Sequence, residues 1–251
     1  MGEEKIKDMC KILGIVVARG GSKRVPGKNI RDFLGKPLIE WTIEIGQKSE
    51  VFERFILITD DDKASMVGKK LGIEIPFKEP AELASDTAKI FDVFHYTLSW
   101  LRDNDSYNPE WFILLEPASP GRQVFHIQEV VKIIEEGGGD FDSICGISQS
   151  LGNTSAFKAM KRISDGSLVG YCSGKSFLEL ARIKNQDVPP SFFINSQIYA
   201  FKTANLFSEK DPSLWGNKTY GYIMDLKYAM DIDTEDDWVV AEGKMKALLG
   251  E

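Results

Sequence analysis

The sequence predicts an α/β fold: a doubly wound, mostly parallel sheet with a smaller antiparallel arm. Three observations predict it. First, short β-branched runs recur at 12-ILGIVVA-18, 55-FILIT-59, 111-WFILLE-116 and 143-SICGI-147. Several are almost continuously apolar, which suits parallel strands covered on both faces. Second, segments with helical 3–4 spacing alternate with these runs, as βαβ units require. Third, the alternation gives way after about residue 150 to strand-like segments separated by turn residues.

Pro37 opens the first helix, in which Leu38, Trp41 and Ile45 share a face to about Lys48. A second covers 62–71 and ends before Gly72. The third, over 87–103, places Ile90, Val93, Phe94, Leu98 and Leu101 on one side. A fourth spans 123–136, with Gly137-Gly138-Gly139 as its stop. Residues 157–163 and 192–202 then alternate like strands around Asp165-Gly166 and Pro189-Pro190 turns, and 150–200 reads as an arm. The last segment, 234–249, is a helix with Thr234 or Asp233 as its N-cap. Glu235, Asp236 and Asp237 suit its positive end.

The 251 residues suit a single domain over 1–251, and 43% hydrophobic content supports a real core. A net charge of −7 argues against nucleic-acid or membrane-surface binding, which need cationic surface. Cys10, Cys145 and Cys172 are scattered and show no C-x-x-C pairing, which reads as reduced thiols in a cytoplasmic protein. No signal peptide or 18-residue apolar run is visible. His95 and His126 lack partner motifs and read as helix-surface or core residues. No Ser-His-Asp or Cys-His arrangement stands out.

Against that acidic background, 18-ARGGSKRVPGKNI-30 carries Arg19, Lys23, Arg24 and Lys28 among Gly20, Gly21 and Gly27. It follows the first strand, where open α/β sheets bind ligands. Glycines admit close backbone approach and the cations supply charge, so the loop reads as a phosphate cradle. A solvated basic loop is the plainer alternative. Neither a Walker loop nor G-x-G-x-x-G is present. Near the other end, 230-MDIDTEDD-237 places Asp231 and Asp233 two residues apart. In a strand that spacing puts both carboxylates on one face, as a Mg²⁺ site prefers. Helix capping explains Thr234 to Asp237 equally well, and Asp231 less well.

Together, ARGGSKRVPGKN, LGKPLIEWTIE, FERFILITDD, PAELASDTA, LLEPASPGR and MDIDTEDD resemble, in order, the cytidylyltransferases that activate sialic acid and related nine-carbon keto-sugars. The resemblance implies a nucleotidyltransferase of Rossmann-like fold. It would transfer CMP from CTP to the anomeric hydroxyl of a 2-keto sugar acid and release pyrophosphate, with Mg²⁺ as cofactor. It also implies a homodimer joined through the arm. By similarity Arg19, Lys28 and Asp233 are catalytic. Arg19, Gly20, Gly21, Ser22, Lys28, Asn29, Asp86 and Ala88 bind nucleotide. Glu116, Ser119, Arg122, Gln186 and Asn195 lie on the sugar side, and Asp231 and Asp233 hold the metal.

The chain departs from the family in two blocks. The block that usually reads Gln-Pro-Thr-Ser-Pro-Leu-Arg has Glu116, Ala118 and Gly121 at the first, third and sixth places. Where the family commonly has an Arg that assists base recognition, this chain has Glu79, with Lys78 as a candidate substitute. A carboxylate accepts hydrogen bonds but does not donate them. The departures leave open another nucleotide, another keto-sugar, or a homologue that binds without catalysis.

Overall fold

The computed structural model describes residues 10–137 and 140–251. Strand β1 (Ile12–Val17) runs into the basic loop, then a hairpin of β2 (Asp32–Phe33) and β3 (Lys36–Pro37). Next come α1 (Leu38–Ser49), β4 (Arg54–Ile58), α2 (Asp62–Leu71), α3 (Ile90–Asp105) and β5 (Trp111–Leu114). Then follow α4 (Val124–Gly137) and β6 (Ser143–Gln149). An excursion holds the hairpin β7 (Met160–Arg162) and β8 (Leu168–Gly170) and the short α5 (Phe177–Ala181). After it come β9 (Phe192–Lys202), α6 (Thr203–Leu206), β10 (Thr219–Ile223) and α7 (Glu235–Leu249).

Six strands form one sheet in the order β10-β6-β9-β5-β1-β4. β1 pairs in parallel with β4 and β5, and β10 with β6. Alternation along β1 supplies both sides of the core. Ile12 and Val16 join a cluster with Ile39 and Ile43 of α1 and Ile127 and Val130 of α4. Leu13 and Ile15 join the opposite cluster with Val93, Phe94 and Leu98 of α3. Phe55 packs where side chains at Gly14 of β1 and Gly46 of α1 would collide with it, so both positions must be glycine.

Residues 192–202 do not belong to the arm. β9 inserts in the middle of the sheet, antiparallel to both β5 and β6. Its C-terminal half is apolar on both faces: Ile198 and Ala200 reach one core cluster and Phe201 the other. Its N-terminal half, Phe192 to Ile194, runs beyond β5 and stays exposed. Ser196 takes a left-handed φ of 58°, where the register with β6 slips. The excursion is the smaller antiparallel element. Within 157–163 only Met160–Arg162 is strand, because the Ser155 hydroxyl accepts from Phe157 N–H and turns the chain first.

The helix boundaries move slightly. α3 starts at Ile90, after Ser85–Thr87 have been drawn into side-chain hydrogen bonds. Gly138 and Gly139, expected to end α4, lie outside the described residues, as does the N-terminal stretch 1–9. Thr234 caps α7 in a capping box with Asp237. Among the described residues the three cysteines are free thiols, and no helix is long and apolar enough to cross a membrane.

Candidate active site

A third apolar cluster assembles the site. It holds Val25 from the basic loop, Phe33, Leu38, Met230 and Ile232, with Trp238, Ala241 and Met245 of α7. Val25 and Ile232 are almost wholly buried, so their polar sequence neighbours are turned the other way. Residues 230–233 form coil rather than a strand. The alternation still holds, because Ile232 is buried and its N–H donates to Ala118 O at 2.9 Å. Asp231 and Asp233 consequently face the same cleft as Arg24 and Lys28. Arg31, paired with Glu235 at 2.7 Å and stacked on Trp238, fixes the end of the loop to α7.

The cleft, about 480 Å³, opens beyond the C-terminal ends of β1 and β5. That volume suits a small-molecule ligand. Arg19, Ser22, Lys28, Asn29, Asp86, Ala88, Glu116, Asp231 and Asp233 all line it, so one hollow unites residues from four sequence blocks. Lys28 Nζ donates to Ile232 O at 2.6 Å and lies 3.6 Å from Asp233 Oδ1. Arg24 pairs with Asp233 at 3.0 Å. Arg19 and Lys23 converge on Asp86, at 3.2 and 2.5 Å. Asn29 Nδ2 donates to Arg19 O at 3.1 Å and holds the two ends of the loop together.

Capping does not consume the Asp pair. Asp237 Oδ2 accepts from Thr234 and Asp233 N–H and is the carboxylate committed to α7. Asp231 reaches solvent through the cleft, yet the protein around it raises its pKa by desolvation, and the like charge of Asp233 adds to the rise. Glu116 stands behind it. Burial, reinforced by Asp231, pushes its carboxyl up to about 7 against the pull of Arg122 and Lys28.

Other expected residues lie outside the hollow. Gly20 N–H is taken by Asp60 Oδ1 at 2.8 Å, and Gly21 faces open space. The glycine with a left-handed backbone is Gly27, which caps the one-turn helix Lys28–Ile30. Ser119, Arg122 and Asn195 are buried and do not line the cleft. Arg122 is fully buried and donates to the carbonyls of Gln197 and Glu116, tying β9 to the end of β5. Asn195 Nδ2 donates to Ser148 Oγ across β6. Gln186 is exposed in the excursion. Lys78 pairs with Asp62 at 2.7 Å on the outer surface and offers nothing to the cleft. His126 is buried, with Nδ1 accepting from Gln123 N–H, and burial lowers its pKa to about 4, while His95 is exposed on α3.

Sequence reasoning passed over Leu83, Ile90, Val93 and Leu114, which give the cleft apolar wall. Ile90, Val93 and Leu114 carried a signal only as core or strand residues, and nothing in the pattern marked them or Leu83 as ligand-facing. Asp60, the acceptor for Gly20, was also missed.

The cytidylyltransferase family model matches residues 13–204. The chain is 30% identical to the CMP-N,N'-diacetyllegionaminic acid synthase of Legionella pneumophila, covering 94% of this chain and 97% of that protein. It is also 30% identical to the N-acylneuraminate cytidylyltransferase of Escherichia coli over 92% of this chain. The chain spans about half the length of the N-acylneuraminate cytidylyltransferases it matches. Among solved structures, a CMP:2-keto-3-deoxy-manno-octonic acid synthetase complexed with CTP superposes with a TM-score of 0.64, covering 96% of this chain and 98% of the other at 15% identity. That likeness shows the fold.

Proposed function

The chain belongs to the cytidylyltransferase family, and on that premise we propose that it transfers CMP from CTP to the anomeric hydroxyl of a sialic-acid-like 2-keto sugar acid. The anomeric oxygen attacks the α-phosphorus, the bond to pyrophosphate breaks, and the hydroxyl proton is released. The observation that carries this reading is the convergence of Arg19, Ser22 and Lys28 with Asp231 and Asp233 on one cleft at the strand ends. Fixed cations and N–H donors stabilise charge that grows on phosphate oxygens as the bonds exchange. Lys28, held by Ile232 O, is the cation whose position is best defined.

The cofactor in this reading is Mg²⁺. The donor set fits it: Asp231 and Asp233 offer hard carboxylate oxygens, and their mutual repulsion favours a cation between them. Among the described residues no group of three or more His, Cys, Asp or Glu is arranged for a metal. Two carboxylates with water and phosphate oxygens filling the remaining positions is the usual Mg²⁺ arrangement. A bound Mg²⁺ neutralises phosphate charge and lowers the pKa of an attacking hydroxyl.

A homodimer belongs to the same proposal. Tyr171, Phe177 and Leu178 of the excursion and Phe192 to Ile194 of β9 are exposed apolar residues, a concentration typical of an interaction surface. Sedimentation at micromolar concentration should give twice the chain mass, and Phe193→Glu should give monomers. A monomeric wild-type chain removes the dimer from the proposal.

The activity is tested by a pyrophosphate-release screen that crosses the four nucleoside triphosphates with a panel of 2-keto sugar acids in the presence of Mg²⁺. CTP with at least one nine-carbon acid should turn over. Silence across the panel despite CTP binding marks a nucleotide-binding homologue instead.

A further inference from the structure

Glu79 lies on the connection between α2 and α3, which returns to the end of β4. Its N–H donates to Thr59 O at 3.0 Å, and Thr59 in turn donates its hydroxyl to Ala18 O at 2.6 Å, at the start of the phosphate loop. Glu79 is therefore fixed to the strand that launches the loop. It is only 4% exposed, it lines the cleft, and its Oε2 is buried without a hydrogen-bond partner. An orphaned buried oxygen costs a few kcal/mol (~1–3) unless a ligand satisfies it. No neighbouring group among the described residues does so. Arg19 is engaged by Ser85 O and Asp86, Asp60 by Gly20 N–H, and Lys78 by Asp62. The cleft also carries Leu83, Ile90 and Val93, apolar surface of the kind on which a flat ring lies.

We propose that Glu79 reads the base: as a carboxylic acid it donates one hydrogen bond to ring N3 of cytosine and accepts one from the exocyclic N4 amine. The proposal rests on the cytidylyl reading above and adds the residue that selects the base. The acid form matches cytosine's edge, one acceptor beside one donor. The ionised form, which only accepts, would oppose N3. It suits guanine instead, whose N1–H and N2–H both donate. The surroundings favour the acid form: burial and the Asp60 charge raise the Glu79 carboxyl to about 7, against the opposing pull of Arg19.

CTP binding with Mg²⁺ is measured by calorimetry for the wild type, Glu79→Gln and Glu79→Ala. A glutamine amide presents the same donor and acceptor at every pH, and it also cancels the titration of the triphosphate itself. From about pH 6 to about pH 8.5, wild-type affinity should fall ~30-fold relative to Glu79→Gln, as the share of protein in the acid form falls. Glu79→Ala should bind at least ~10-fold more weakly than Glu79→Gln at pH 6. If Glu79→Ala does not fold, the ratio of wild type to Glu79→Gln decides alone. A flat ratio with intact CTP binding overturns the assignment of Glu79 and leaves the cytidylyl reading standing, whereas tighter binding of GTP than of CTP by the wild type overturns both. Wild-type protein that binds no CTP at any pH removes both.

Discussion

The two walls of the cleft carry groups of opposite kind, cations on one side and carboxyls on the other, and hold them in opposite ways. On the loop side, Arg19, Lys23 and Arg24 are substantially exposed and each is already matched by Asp86 or Asp233. Exposed pairs are weak and solvent-screened, so exchanging a carboxylate for a phosphate costs little. On the other side, Glu79 and Glu116 are sunk into the protein, and their carboxyls are pushed up to about 7 by burial. There, each hydrogen bond is expensive to leave unmade. In the proposed reading, the loop wall attracts without discriminating and the carboxyl wall discriminates.

The sharpest break of this contrast falls between the walls. Asp231→Asn with Asp233→Asn should leave thermal stability near that of the wild type and reduce pyrophosphate release by at least ~10³-fold, as loss of a metal's ligands does. Unchanged turnover removes both residues from the metal site. Next, Lys28→Met should lower kcat/KM by ~10²-fold, the scale of losing one fixed donor to transition-state charge. Arg24→Met, at an exposed pair, should cost far less. Equal effects would mean that position within the loop does not matter.

The carboxyl wall has a stability signature. Glu79 in the folded chain keeps its proton to about 7, above the ordinary value of 4.5. Between those pH values the folded state binds more protons than the unfolded state. Stability therefore falls as pH rises through the window and levels off above it. Glu79→Gln lacks this loss, so it should gain on the wild type by ~1–3 kcal/mol at pH 8 and by little near pH 4.5, read from urea midpoints. A constant gap across pH would locate the strain elsewhere. The smallest effect belongs to Lys78→Ala. Its partner Asp62 is on the outer surface, so CTP affinity should not change measurably. A clear loss would bring Lys78 back as a base contact.

Legibility followed range in sequence. The parallel strands and the helices could be read because their signals are local: apolar runs, 3–4 spacing, Gly72 after a helix end and Thr234 at a helix start. The antiparallel β9 was read as arm, since alternation in 192–202 reports that a strand exists but not which neighbours it joins. Arg122 and Asn195 were expected on the sugar side; Arg122 donates to the carbonyls of Gln197 and Glu116 with its Nη1 left without a partner among the described residues, and Asn195 donates to Ser148 Oγ. Nothing local distinguishes an arginine aimed at a ligand from one that ties two strands together.

By itself the sequence determined the alternating α/β plan, the cation-rich loop after the first strand, and an Asp-x-Asp pair with an apolar residue between. These follow from covalent order and the periods of strand and helix. The tertiary structure decided that Val25 and Ile232 share one apolar cluster, which brings Lys28 within 3.6 Å of an aspartate 205 positions later. It also decided that Glu79 is buried with an oxygen unsatisfied, while Lys78 beside it meets solvent. Burial is a property of what packs around a residue, and those neighbours come from distant parts of the chain.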